Sequence, residues 1–335
     1  KPEILEKTNF ERYERYKQIE ENEVMYEEFM MEDAEYCVVA FGIASRVAKN
    51  AVVAVEGGQI DVKGDSDAGE QGAEGSQIIL KNVSGNTTIS NTSSAIMYGD
   101  YYYSFATFEQ ALEKAKAGET IILTKDVTIE SNLNITKSIT LDLNGKTLTA
   151  AKEGSDIDAI WVRDNAEVVI TGNGTINASF DAVFATGTSK VTIENGKFIG
   201  AAEAVYAQAN ATVIINGGTY KVGHDGASKD ANKANWRNDC IYARDNAKIT
   251  INGGEFAYTG DINTENFQSD GNRFLLNCRD DDYKAGTSSI TVTGGTFHKF
   301  NPGATSSENP VASYVAAGYS SVAGENNTYV VKKDN

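Results

Sequence analysis

The phrase NATVIINGGTY at 210–220 returns almost unchanged as NAKITINGGEF at 246–256. A chain that repeats itself constrains its own fold, because each copy must find the same surroundings as the last. Further copies begin at Asn165 (NAEVVITGNGTI), Thr188 (TSKVTIENGKF) and Thr287 (TSSITVTGGTF). Each is an alternating apolar run, then a glycine turn, then an aromatic or aliphatic residue. The second glycines of these turns are Gly174, Gly196, Gly218, Gly254 and Gly295, spaced 22, 22, 36 and 41 residues apart. The longer gaps equal the basic period plus insertions of about 14 and 19 residues. A second phrase recurs between the turns: DAIWV from Asp158, DAVFA from Asp181, EAVYA from Glu203 and DCIYA from Asp239, with LLNC from Leu275 in the same columns.

A period near 22 with short β-branched runs, three prolines in all and no helical pattern reads as one coil of a parallel β-solenoid. At about 3.3 Å per residue, such a coil holds three short strands and three turns. Ile160, Val183, Val205, Ile241 and Leu276 are expected to stack inward as one ladder. Val169, Ile214 and Ile249 are expected as a second, and Phe198, Tyr220, Phe256 and Phe297 as a third of open facing. Tyr206 and Tyr242 are expected to stack. Glycine and asparagine at the corners supply the positive φ of tight turns. A β-sandwich would turn every 8–12 residues or so and would not repeat its letters.

Ahead of the repeats, SFATFEQALEKAKAGETIILTKDVTIE reads as an amphipathic helix over 105–117, a glycine stop and a strand. A helix laid over an open sheet edge protects it. This arrangement, with ITLDLNGKTLTA and the GGTF-type turns, resembles the pectate-lyase-like right-handed parallel β-helix superfamily. In particular it is similar to repeats of gut-bacterial surface proteins and phage structural proteins. The resemblance spans about 99–335 and implies an all-β, right-handed parallel β-helix of ~22-residue coils with a helix cap and a C-terminal cap over 298–335. It also admits a homotrimer, since β-helical fibres often trimerise.

Residues 1–52 are written in a different composition. KPEILEKTNFERYERYKQIEENEVMYEEFMMEDAEY is dense in Glu, Lys, Arg and Tyr, a helical and solvated pattern. YCVVAFGIASRVAKNAV then reads as a strand over 37–41, a turn at Gly42 and a helix from about Ser45, the opening of an α/β unit. ERYERYKQIEENEV and DAEYCVVAFGIASRVAKNAV closely resemble a segment of the 2-oxoacid:ferredoxin oxidoreductase alpha subunit. That resemblance implies thiamine diphosphate, coenzyme A and iron–sulfur chemistry for the family, but none of its catalytic or cofactor residues maps onto this segment. It breaks off near 52–56, where the chain reads as a chimeric join. Residues 53–98 read as an acidic Gly/Ser linker with a strand, turn and strand in QIILKNVSGNTTIS.

The formal charge of −17 over 335 residues argues against a nucleic-acid partner. It suits an extracellular, cell-surface or virion protein. No apolar run reaches membrane-spanning length, and no signal peptide follows Lys1. Cys37, Cys240 and Cys278 are too few for a disulfide framework.

The two insertions leave the repeat at one corner of successive copies. The first carries His224, Asp225, Trp236, Arg237 and Asp239, and the second Asp261, Asn263, Asp270 and Arg273. An aromatic ring among carboxylates and amides suits a polysaccharide or host-surface glycan: the ring packs on a pyranose while the polar groups take its hydroxyls. RDNA at 163–166 and 244–247, echoed by RDDD at 279–282, forms a second constellation, with Asp245 and Asp280 expected side by side. Asp280, Asp281 and Asp282 are a candidate Ca²⁺ site, carboxylate oxygens being the ligands that ion prefers. Inverting β-helix hydrolases carry Asn-Thr-Asp, Asp-Asp, Gly-His-Gly and Arg-Ile-Lys signatures, and the set is absent here. The expected function is thus a non-catalytic surface or phage-virion adhesion protein that binds glycan. A polysaccharide lyase or glycoside hydrolase at the insertions, and a fragment of a 2-oxoacid:ferredoxin oxidoreductase, stand as alternatives.

Overall fold

Every second residue of a repeat is apolar and every corner carries Gly, Asn or Asp, so each strand buries one side and ends within three to five residues. The computed structural model describes residues 2–22, 107–222, 239–258, 274–307 and 311–335, with short strands between 53 and 105. The chain divides into two units, Lys1–Ala51 and Val52–Asn335. In the first, helix α1 (Pro2–Asn22) is rich in charged residues and leaves Phe10, Tyr13 and Tyr16 exposed. The strand expected over 37–41 and the helix expected from Ser45 lie outside the described residues.

In the second unit the chain visits three sheets in rotation, and each strand pairs in parallel with its counterpart one round later. In the first sheet Val168, Val191, Val213, Ile249 and Ile290 are register partners, all buried. The second aligns Leu148, Ile176, Phe198, Tyr220, Phe256 and Phe297. The third aligns Leu133, Ile160, Val183, Val205, Ile241 and Leu276. These columns form one continuous core. Each such side chain contributes about 1.5–3 kcal/mol by leaving water. The rings from Phe198 to Phe297 stack face to face, with centroids 4.8–5.1 Å apart. The glycines ahead of them hold φ between 99° and 119°, and a Cβ on Gly218 would meet the Gly196 carbonyl oxygen at 2.8 Å. No other residue closes that turn without strain.

Two expectations need correcting here. Val169 and Ile214 share an outer column, each pairing with Thr192, but Ile249 does not join them: it faces the core opposite Val213. Strand parity separates them, because neighbouring residues point to opposite faces. The larger correction concerns the fold class. The chain is not a single all-β right-handed β-helix from cap to cap. Among the described residues it is mostly parallel β-structure in three large sheets of eleven, nine and six strands with few helices, and a further two-stranded sheet stands apart. The first sheet continues past the repeats through Ser94–Tyr98 and Tyr101–Phe105, which pair antiparallel, and then Ile79–Lys81. The second sheet ends on the antiparallel strands Thr328–Lys333 and Tyr319–Ala323. The repeat determines only strand-to-strand pairing; the first and second sheets then extend at one edge with strands that the flanking chain supplies.

Helix α2 (Phe108–Lys114) lies shorter than the 105–117 expected, since Phe105 ends a strand. A capping box starts it: Gln110 N–H donates to Thr107 Oγ1 and Thr107 N–H to Gln110 Oε1. At its other end Lys137 Nζ donates to the carbonyls of Leu112, Glu113 and Ala115 at 2.7–3.3 Å, satisfying the groups the helix leaves open. In the linker, Ile79–Lys81 and Thr88–Ser90 are strands of different sheets, not partners across a turn.

Candidate functional site

Four of the six strands of the third sheet are preceded, two residues earlier, by an acid: Asp158 before Ile160, Asp181 before Val183, Glu203 before Val205 and Asp239 before Ile241. Parallel register therefore stacks four carboxylates in a column, about 4.8 Å apart per round. Glu203 N–H donates to Asp181 Oδ1 at 3.1 Å, and Asp181 N–H to Asp158 Oδ1 at 3.4 Å. Asp239 accepts from Phe274 N–H at 3.0 Å and from Asn277 Nδ2 at 2.6 Å. Asp181, Glu203 and Asp239 are all buried. Burial pushes the Glu203 carboxyl well above the usual range, and the charge of Asp181, its hydrogen bond to Glu203 and the charges of Asp239 and Asp158 push the same way.

On the outer face of the same sheet, register aligns Trp161, Phe184, Tyr206, Tyr242 and then Asn277. The rings stack at 4.7–5.4 Å, so their faces are spent on one another until Tyr242, where the next position holds Asn277. Burial, then the charge of Asp239, raises the Tyr242 phenol to about 12, and burial raises Tyr206 as well.

The far wall is helix α3 (Asp280–Ala285), ended by Gly286 in the left-handed region. Arg279, just ahead of it, pairs with Asp245 at 2.7 Å and Asp282 at 2.9 Å, while Arg244 lies 3.0 Å from Asp245. Asp282 also accepts the Asp245 backbone N–H at 2.6 Å. Burial opposes ionisation of Asp282, but that N–H and the Arg279 guanidinium outweigh it and lower the carboxyl. Asp282, not Asp280 as expected, therefore sits at the Asp245 corner, because RDDD winds into a helix instead of repeating the RDNA turn. Between the column and α3 opens a cleft of about 550 Å³. Its inner wall holds Asp181, Glu203, Asp239, Tyr206, Tyr242 and Asn277, and its rim Arg244, Arg279, Asp280, Asp281 and Lys284.

Of the expected glycan residues, Asp239 lines this cleft; His224, Asp225, Trp236, Arg237, Asp261, Asn263, Asp270 and Arg273 lie outside the described residues. Among the described residues no three His, Cys, Asp or Glu side chains group to hold a metal ion, and Asp282 of the expected Ca²⁺ set is engaged with Arg279. Cys240 and Cys278 are buried and form no disulfide with each other, and burial raises the Cys240 thiol. Among the described residues no helix is long and apolar enough to cross a membrane. Asp181 and Glu203 were legible only as the first letters of a recurring phrase.

Over 48 residues the chain is 62% identical to "Ketoisovalerate oxidoreductase subunit VorB" of Methanothermobacter marburgensis. Over 48 residues it is 58% identical to the protein of the same description in Methanothermobacter thermautotrophicus. Each match covers 14% of this chain and 14% of the relative, so the chain spans about one seventh of the length of these relatives. No family model matches, and no solved structure matches significantly. The short match supports the resemblance of the N-terminal segment to a 2-oxoacid:ferredoxin oxidoreductase subunit. It also corrects the expectation of a pectin-lyase-like adhesin or phage structural protein: what the matches name is an oxidoreductase subunit, over a fragment. A column of β-branched residues is what any stacked parallel sheet needs, so the likeness of the repeats does not by itself carry a function.

Proposed function

We propose that the unit Val52–Asn335 binds a saccharide in the cleft beside the carboxylate column. The observation that carries this reading is the convergence of Tyr242, Asn277, Asp239 and the Arg244 and Arg279 guanidinium groups on one cavity of about 550 Å³. A sugar ring packs at the Tyr242 end of the stack, beside Asn277, and its hydroxyls exchange hydrogen bonds with the amide, the carboxylate and the guanidinium groups. Retention of the purified chain on immobilised polysaccharides tests it. Tyr242→Ala is expected to weaken retention at least tenfold, and undiminished retention would remove the cleft from the reading.

The sequence match favours a second reading, for the N-terminal segment alone: it is a piece of an oxidoreductase subunit of the kind named for ketoisovalerate. At about one seventh of the relatives' length, the whole protein's activity is itself a proposal. Ketoisovalerate-dependent reduction of an electron-accepting dye by the purified chain would support it. A folded chain that reduces none would leave the segment as a joined fragment.

A further inference from the structure

We infer that the cleft, taken as the saccharide site proposed above, selects an amino-sugar polymer, whose protonated amines lie against the carboxylate column and displace a proton from it. Asp181, Glu203, Asp239, Asp280 and Asp281 line the cleft, and the bases that line it are Arg244, Arg279 and Lys284. Arg279 already pairs with Asp245 and Asp282, and Arg244 with Asp245. Among the described residues Lys284 is therefore the one base left to face five acids. A cavity walled by one sign of charge focuses its field inward, so a cationic ligand gains there. A uronate meets like charge instead. The buried acids stand one per round, about 4.8 Å apart, and do not gather round a single point. Among the described residues no three His, Cys, Asp or Glu side chains group to hold a metal ion. Such a column suits positive charge carried at intervals along a chain.

Glu203 is the member that exchanges. Like charges one strand spacing apart do not all ionise. The Glu203 carboxyl is raised first by burial, then by the charge of Asp181, the hydrogen bond between the two side chains, and the charges of Asp239 and Asp158. The Tyr206 and Tyr242 phenols on the same sheet also feel Glu203, but both are raised and stay neutral. From α3, Asp280, Asp281 and Lys284 line the same cleft. An ammonium group brings three N–H donors and a full charge. Set beside Glu203, it offsets the repulsion that keeps the carboxyl protonated. The Glu203 O–H bond then breaks, its electron pair stays on the carboxylate, and the proton passes to solvent. No covalent bond to the ligand forms.

The test is titration calorimetry of the full chain with glucosamine, N-acetylglucosamine and galacturonic acid oligomers of equal length, and with oligolysine. The glucosamine oligomer is expected to bind about tenfold tighter or more than its N-acetylated counterpart, since a charged donor replaces a neutral one. The uronic acid oligomer is expected to bind least. Repeating the titration in two buffers of different ionisation enthalpy, at a pH where the amine is charged throughout, is expected to show protons released on binding. Glu203→Gln has no such proton. It is expected to lose the release and most of the preference for the amine, while the N-acetylated oligomer still binds. Should that variant fail to fold, as judged by circular dichroism, the parent's proton release decides, and its absence overturns the inference. Equal affinity for the glucosamine and N-acetylated oligomers overturns the selection and leaves the saccharide reading standing. An undiminished preference in Glu203→Gln, or tightest binding of the uronic acid oligomer, also overturns the inference. Oligolysine bound as tightly as glucosamine, with the N-acetylated oligomer unbound, would overturn both readings, as would no binding of any oligomer.

Discussion

Two corners of the same unit stack charged side chains round upon round, and they neutralise them in opposite ways. At 158–239 the repeat places acid over acid, with no basic side chain among the influences on Glu203. At 244–282 it places Arg244, Asp245, Arg279 and Asp282 in alternation, each carboxylate within 3.0 Å of a guanidinium. The first corner relieves repulsion by holding a proton, and the second by pairing charge. A repeat copies letters without regard to sign, so the chemistry of a column depends on what the neighbouring round supplies. Burial of Glu203 at the first corner and of Asp282 at the second makes both costly to disturb, but in opposite pH ranges.

The largest effect is expected where pairing is broken. Asp282→Ala strips Arg279 of one partner and leaves the Asp245 N–H without an acceptor. A loss of about 2–3 kcal/mol is expected, read as a lower urea midpoint at unchanged slope. Asp282→Asn should recover part of it through the surviving acceptor. A smaller effect, and of reversed sign, is expected at the other corner. Glu203 is raised in the fold, so the unfolded chain releases its proton first. Its contribution is whole below the ordinary glutamate range and is lost as pH rises through the folded value, by up to about 1.4 kcal/mol per pH unit. Glu203→Gln should therefore flatten that decline and match or exceed the parent's stability at pH 8; a steeper decline would refute the shared proton.

Acid should separate the two corners further. The Asp282 carboxyl is lowered, so its contribution is present above the ordinary aspartate range and is lost as pH falls through the folded value. Thermal melts between pH 2 and 5 should show this loss in the parent and not in Asp282→Asn. The smallest change is spectroscopic. Burial and then the Asp239 charge push the Tyr242 phenol up to about 12. Asp239→Asn, which removes the second influence on it after burial, should bring its phenolate absorbance in at slightly lower pH. No change would mean that burial alone holds the phenol up.

Much of this was legible before any coordinates. The inward ladder from Ile160 to Leu276 follows from apolar alternation and the period, and all five residues are buried register partners. The stacking of Tyr206 on Tyr242 follows from the same columns. The acids that open DAVFA, EAVYA and DCIYA were equally plain as letters. They read as punctuation because their meaning lies 22 to 36 residues away, where Asp181 and Asp239 close on Glu203. RDDD read as another corner because three aspartates do not announce a helix, and only the helical turn carries Asp282 back to Arg279.

By itself the sequence determined local pairing: the strand period, the inward and outward parity of most columns, the glycine turns and the short N-terminal kinship to an oxidoreductase subunit. Tertiary structure alone decided that the repeats form three large sheets, two of them extended by antiparallel strands, and not one right-handed coil. It also decided that a carboxylate column and a helix face one cleft. The reason is one of range. Alternation and turn chemistry act over a few residues and are written in the chain, whereas desolvation and charge coupling depend on groups that only folding brings within a few ångströms.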